Sequence, residues 1–141
     1  LIANGTYVFV NRNSNLAMDD PGSSTTAGQQ IEQWTSNNGN NQKWQLTNLG
    51  SNNVKLICVA SNLALDMSGS STANGGQVIQ WTPTGASNQI WHVTSLGGGF
   101  YEITNQHSGL ALEVPGASMT NGTFLDQSAY TGATNQQWSV H

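Results

Sequence analysis

The chain has 141 residues, of which 7% are charged: three Lys or Arg stand against seven Asp or Glu, for a formal charge of −4. Three cations cannot build the basic face that meets nucleic-acid phosphates, no apolar run approaches the roughly 18 residues of a membrane span, and a single cysteine, Cys58, excludes an internal disulfide and a cysteine-based metal cluster. Polarity comes from 17 Asn, 12 Gln, 15 Ser and 14 Thr, about two-fifths of the chain, and the length suits one domain over residues 1–141 with a sizeable core. The sequence opens on Leu1 with no signal peptide in view, as expected of a processed protein or of a domain cut from a longer one.

In chain order, Tyr7 opens a first unit that continues through Asn15-Leu16-Ala17-Met18-Asp19, Gly28, Gln33 and Asn41-Gln42-Lys43-Trp44. Val54 opens a second, with Asn62-Leu63-Ala64-Leu65-Asp66, Gly75, Gln80 and Asn88-Gln89-Ile90-Trp91. Tyr101 opens a third, with Gly109-Leu110-Ala111-Leu112-Glu113, Gly122, Gln127 and Asn135-Gln136-Gln137-Trp138. Every feature recurs at 47 residues without insertion or deletion, and 141 is three times 47. Several motifs in one shared register mark an internal repeat, with boundaries near 4–50, 51–97 and 98–141.

The second unit shows what one repeat builds. Residues 54–59 are β-branched and apolar, 63–67 form a short apolar run, and 77–81 and 90–94 alternate. Ser, Asn, Gly and Pro clusters separate them, as turns require. Four short strands per 47 residues predict an all-β protein of twelve strands with pseudo-threefold symmetry. No segment sustains a 3.6-residue period, so no long helix is expected. The predicted core is Leu16, Leu63 and Leu110; Met18, Leu65 and Leu112; Ile31, Val78 and Leu125; Trp44, Trp91 and Trp138; and Leu46, Val93 and Val140. Gln33, Gln80 and Gln127 alternate onto the face of Ile31, Val78 and Leu125, and are expected near the threefold axis, bonded to one another, to a trapped water or around an ion, since buried amides need partners.

Three in-register copies of Gln-x-Trp in repeats of this size resemble the ricin B-chain type lectin domain, a β-trefoil, over the whole chain. Without disulfides the chain is more similar to family 13 carbohydrate-binding modules and bacterial or fungal lectins than to the plant toxin chains. The resemblance implies one shallow sugar pocket per repeat. In it, an Asp after the Leu-x-Leu run and a later Asn bond sugar hydroxyls, an aromatic residue stacks on the ring, and Gln orients the Asp. The chemistry suits a neutral pyranose: a charged acceptor, an amide with donor and acceptor, and an aromatic face.

The first set is Asp19, Trp34, Asn41 and Gln42, with Asn37 as a further polar contact and Glu32 two residues before the Trp. By strand alternation Glu32 and Trp34 share a face. The second is Asp66, Trp81, Asn88 and Gln89, with Thr84 in the accessory place and Ile79 replacing the Glu. The third departs: Glu113 stands for Asp, Ser128 for the aromatic residue, and Asp126 takes the place of Glu32. Tyr130, two residues late, is expected to swing in, and Asn135 and Gln136 remain. The core tryptophans persist in all three repeats whereas the stacking position reads Trp, Trp, Ser, which argues that the stacking position does not serve packing.

The resemblance therefore implies a non-catalytic lectin or carbohydrate-binding module with up to three pockets, of galactose or xylose type, and no cofactor or metal. Its partners are mono-, oligo- and polysaccharides and glycoconjugates, with a linked glycoside hydrolase as a further partner and no nucleic acid. A secreted or extracellular site is expected, with a cytosolic one left open by the free cysteine. Two rival readings are a protein-binding trefoil of protease-inhibitor type, which needs a distinctive inserted loop that equal repeats do not leave room for, and a trefoil with inactive sugar sites. Catalysis is disfavoured. A glycosidase needs two carboxyl groups across one bond, the second repeat lacks the second one, and His92, His107 and His141 neither recur nor form a metal spacing.

Overall fold

The computed structural model describes residues 2–141; Leu1, the first residue of the expected domain, lies outside the described residues. The first repeat holds β1 (Gly5–Tyr7), β2 (Phe9–Asn11), β3 (Ala17–Asp19), β4 (Glu32–Trp34) and β5 (Trp44–Gly50). The second holds β6 (Asn53–Cys58), β7 (Ala64–Met67), β8 (Val78–Trp81) and β9 (Trp91–Gly97), and the third β10 (Phe100–Asn105), β11 (Ala111–Glu113), β12 (Asp126–Ser128) and β13 (Trp138–Val140). Among the described residues there are thirteen strands instead of twelve because the first strand of the first repeat is interrupted at Val8. Its two halves serve different neighbours: β1 pairs with β5, β2 pairs with β13, and Val8 between them exchanges two 2.9 Å bonds with His141.

The pairing is cyclic. Each opening strand lies antiparallel to the last strand of its own repeat and of the preceding one, giving the ring β1–β5–β6–β9–β10–β13–β2. Closing the ring leaves no free sheet edge there. The hairpins β3–β4, β7–β8 and β11–β12 are tied to one another by single bridges, Gln30 to Ile79, Gln77 to Asp126 and Phe124 to Glu32. This is the β-trefoil that the resemblance implies, with a six-strand barrel and a three-hairpin cap.

Trp44, Trp91 and Trp138 are fully buried, and each indole Nε1 donates to the carbonyl of Met18, Leu65 or Leu112 at 3.0–3.2 Å. A buried indole needs such a partner, so the Gln-x-Trp tryptophans pin the last strand of each repeat to its first hairpin. The expected layers of Met18, Leu65 and Leu112, of Ile31, Val78 and Leu125, and of Leu46 and Val93 are buried, with Val140 half-buried against them. Leu16, Leu63 and Leu110 are a correction: they are half-buried and outside the core cluster. Each follows a left-handed residue, Asn15, Asn62 or Gly109, in a tight turn whose geometry aims the leucine off the strand face. Phe9, Leu56 and Ile103, also 47 residues apart, fill the core in their place.

Gln33, Gln80 and Gln127 are fully buried, and they bond to the protein frame instead of to one another. Each Oε1 accepts from a serine of its own repeat, Ser14, Ser61 or Ser108, at 2.7 Å. Each Nε2 donates to two carbonyls of the preceding repeat: Ser118 and Thr120, Ser24 and Thr26, Ser71 and Ala73. Satisfied on both ends, the three amides clamp repeat to repeat in a closed cycle.

One buried position breaks the symmetry. Asp20 is fully buried where the other repeats place Met67 and Val114, and its Oδ1 has no hydrogen-bond partner. Burial, reinforced by the nearby charge of Asp19 and opposed by the Cys58 thiol, raises its pKa to about 7. Cys58, whose Sγ lies 3.9 Å from Asp20 Oδ2, in turn replaces Asn11 and Asn105, whose amides donate to the Asn135 and Asn88 carbonyls at 3.0 Å.

Candidate functional site

Each site begins with the register of its hairpin. Ala17 pairs with Trp34, Ala64 with Trp81 and Ala111 with Ser128, while Asp19 faces Glu32, Asp66 faces Ile79 and Glu113 faces Asp126. Residues two apart lie on one face of a strand. Acid and aromatic are thereby set side by side at the hairpin mouth in the first two repeats, and the third has the acid alone.

The second repeat is the most complete. Asp66 is buried, and its Oδ2 accepts from Gln89 Nε2 at 2.8 Å and Asn88 Nδ2 at 3.3 Å. Gln89 also donates to the Thr82 carbonyl and accepts from the Thr84 amide, so it fixes the loop and the carboxylate together. Asn88 likewise reaches the Met67 carbonyl. Burial raises the Asp66 pKa, and the Gln89 and Asn88 amides pull it back. Above this frame Trp81 is 44% exposed. Its Cζ3 lies 3.6 Å from where a Cβ on Gly28 would stand. Gly28, at φ +98°, lets the neighbouring repeat's loop come against the indole. Asp66, Ile79, Trp81, Thr84, Asn88 and Gln89 line a cavity of about 360 Å³ together with Ser68, Gly69 and Ser70.

The first repeat repeats the frame with a different floor. Asp19 Oδ2 accepts from Gln42 at 2.8 Å and Asn41 at 3.1 Å, and Gln42 Oε1 accepts from the Asn37 amide. Trp34 is 41% exposed and packs against Gly122 of the third repeat, its Cζ3 3.7 Å from the missing Cβ. Asp19, Glu32, Trp34, Asn37 and Asn41 line a cavity of about 380 Å³ with Gly22. Glu32 shares this floor with Asp19. Burial first, then hydrogen bonding and charge from Asp19 and the charge of Asp20, raise its pKa to about 8.

The third repeat keeps the frame only loosely. Gln136 reaches Glu113 Oε1 at 3.4 Å but still accepts from the Thr131 amide at 2.8 Å. Asn135 donates to the Val114 carbonyl and makes no bond to Glu113. Asp126 has one buried oxygen without a partner; burial, then the charge of Glu113, raises its pKa to about 7. Tyr130 is a correction. It does not swing over the acid: Gln137 Nε2 donates to its hydroxyl at 3.0 Å, and Arg12 Nη1 donates to Gln137 Oε1 at 2.8 Å, with the Arg12 Cζ 4.0 Å from the centroid of the Phe100 ring. Lys43 and Ile90 occupy the Gln137 position elsewhere, so this tether belongs to the third repeat.

The sequence reading missed the third wall of each pocket. Gly22 and Gly69 line the cavities, and with Gly116 they share a left-handed conformation near φ +60°. Their 47-residue recurrence was the available signal. Among the described residues no group of three His, Cys, Asp or Glu is placed to hold a metal ion, and no helix is long and apolar enough to cross a membrane.

Comparison with known proteins gives these features a context. The family described as ricin-type beta-trefoil lectin domain-like matches residues 1–81 and 87–141. The designed threefold-symmetric protein ThreeFoil is 39% identical, with a TM-score of 0.95, and the match covers 97% of this chain and 98% of that one. An exo-beta-1,3-galactanase from Clostridium thermocellum is 36% identical with a TM-score of 0.92; the match covers 96% of this chain and 29% of the galactanase. A ricin B-like lectin from Macrolepiota procera, solved in complex with lactose, shares the fold at 19% identity and a TM-score of 0.84, over 99% of this chain and 96% of the lectin. No curated protein matches the chain.

Proposed function

This chain belongs to the ricin-type β-trefoil lectin domain-like family, and from that membership we propose that it binds carbohydrate without cleaving it, through the pockets of the first and second repeats. The observation that carries the reading is the pair of tryptophans, 41% and 44% exposed, each beside a carboxylate already held by a Gln and an Asn. Asp66 Oδ2 is committed to the frame, which leaves Oδ1 to accept from sugar hydroxyls. Asn88 adds an amide at the rim, and the Trp81 face takes the C–H side of the ring. Asp19, Asn41 and Trp34 do the same in the first repeat. The third repeat, with its loosely held Glu113 and no aromatic residue, binds weakly or not at all.

Galactose-type ligands are favoured, with xylose-type ligands second. The chain matches a 29% portion of an exo-beta-1,3-galactanase, which supports its serving as the sugar-binding module of a longer, secreted polysaccharide-degrading enzyme. A single shallow pocket of millimolar affinity is worth only about 4 kcal/mol. Two pockets on separate lobes raise the apparent affinity for a polymer through effective concentration.

The test is isothermal titration of the Asp19→Ala/Asp66→Ala double variant with galactose, lactose and xylose. The proposal expects an unchanged fold by circular dichroism and, at most, residual binding from the third repeat. Full binding by the double variant would remove both carboxylates from the sites.

A further inference from the structure

The repeats differ in the residue that the preceding repeat sets opposite the floor of each pocket. The single bridges between hairpins place Phe124 opposite Glu32, Gln30 opposite Ile79 and Gln77 opposite Asp126. Gln33 N donates to the Thr123 carbonyl and Leu125 N to the Ile31 carbonyl, both at 2.9 Å. Those two bonds flank Glu32 and Phe124 and make them a non-hydrogen-bonded antiparallel pair, in which facing side chains lie on the same side of the sheet at about 4.5–5.5 Å between Cβ atoms. Phe124 therefore emerges on the face that carries Glu32 and Trp34.

Its neighbours hold it there. Leu125 is buried at the threefold axis, so alternation turns Phe124 outward. Gly122, two residues earlier, lies under the Trp34 indole and within 3.8 Å of Glu32 Oε1 when given a Cβ. The loop of the third repeat thus lies against Trp34 at the edge of the first pocket, and Phe124, 43% exposed, extends that edge. Phe124 is absent from the lining of the pocket itself, so its ring lies beyond the first sugar's seat. An exposed phenyl ring on a bridged, well-anchored segment gains nothing for the core and costs solvation. The other two repeats carry glutamine at the same register.

Resting on the sugar-binding reading above, we propose that Phe124 forms a second subsite beside the first pocket, so that this pocket alone among the three engages two consecutive residues of an oligosaccharide. One sugar sits against Trp34 with its hydroxyls on Asp19 and Asn41. The next residue of the chain lays its C–H face on the Phe124 ring. Phenylalanine has no polar atom to offer, so the second sugar is held by apolar contact and its orientation follows from the first. The ligand class is a short neutral oligosaccharide, and the second pocket, with Gln30 in place of the ring, is satisfied by a single sugar unit.

The experiment is a two-dimensional NMR titration of the intact chain and of Phe124→Gln, which installs the residue the other repeats carry. Galactose is compared with lactose and galactobiose, and xylose with xylobiose and xylotriose. The Trp34 indole reports the first pocket and Trp81 the second. In the intact chain the oligosaccharides of the binding sugar should be roughly five- to tenfold tighter than the monosaccharide at Trp34, as expected for burial of part of a phenyl ring, and equal to it at Trp81. Phe124→Gln should erase the gain at Trp34 while leaving the monosaccharide affinity there unchanged. The converse variant, Gln30→Phe, should create a gain at Trp81. Monosaccharide and oligosaccharide binding Trp34 equally in the intact chain, or a gain that survives Phe124→Gln, would overturn the subsite and leave the sugar-binding reading standing. No shift of either indole with any of these sugars would overturn both.

Discussion

In the second repeat Gln89 holds Asp66 at 2.8 Å and Trp81 stands 44% exposed beside it. In the third, Gln136 reaches Glu113 only at 3.4 Å and Ser128 occupies the position of the indole. The residues around these sites do not diverge in the same way. Trp91 and Trp138 are both fully buried with their Nε1 on a hairpin carbonyl at 3.0 Å, and Gln80 and Gln127 make the same three bonds. The scaffold is therefore maintained at every repeat, because each repeat completes its neighbour's core. The side chains proposed to face the sugar differ between the repeats, and Trp34 and Trp81 stand outside the shared core.

The largest expected effect tests that separation. Trp91→Ala should cost about 3–5 kcal/mol in a denaturant melt, through both the cavity and the unpaired Leu65 carbonyl. Trp81→Ala should stay within about 0.5 kcal/mol of the parent and abolish sugar binding at the second pocket. A loss of several kcal/mol in Trp81→Ala would make that residue part of the core and erase the contrast.

Next in size is Asp20, where the first repeat puts an acid in the place of Met67 and Val114. A carboxyl whose folded pKa is raised from 3.8 to about 7 binds a proton in the native state that the unfolded state has released. Native stability therefore falls as pH rises from about 4 to 7 and levels off above. Asp20→Val should stabilise the protein by roughly 1–3 kcal/mol at pH 8 and flatten that slope, read by thermal melts from pH 4 to 9. Glu32→Gln and Asp126→Asn should act in the same direction with smaller amplitude, since both groups are partly solvated. A profile in Asp20→Val as steep as the parent's would show that Asp20 is not the source.

The smallest effect sharpens the comparison of pockets. Ser128→Trp together with Glu113→Asp restores the two missing features of the third repeat. Calorimetry should then count three sugar sites in place of two, with affinity at the third raised about tenfold, or about 1.4 kcal/mol. An unchanged stoichiometry would mean that the loose Gln136 frame, and not the missing indole, disables that pocket.

The repeat made much of this legible beforehand. A strict 47-residue period fixes which residues are equivalent, so the threefold all-β repeat and the buried tryptophans were readable from spacing, whereas the trefoil and the Asp, Trp, Asn, Gln sets came from the resemblance to the ricin B-type lectin domain. Leu16, Leu63 and Leu110 were misjudged because apolarity and recurrence do not reveal a left-handed turn just before them. Tyr130 was misplaced because its tether to Gln137 and Arg12 depends on side chains 7 and 118 residues away, which no period of 47 connects. The contacts of Gly28 with Trp81 and of Gly122 with Trp34, and the bridge that sets Phe124 opposite Glu32, were invisible for a related reason. They join one repeat to another, and the bridge register that makes them exists only once the cap has closed.

The most direct test of the central claim is an NMR titration of the five indole signals with galactose and lactose. The account predicts saturable shifts of Trp34 and Trp81, with Trp44, Trp91 and Trp138 unmoved. Shifts at the three buried indoles with Trp34 and Trp81 silent would contradict it.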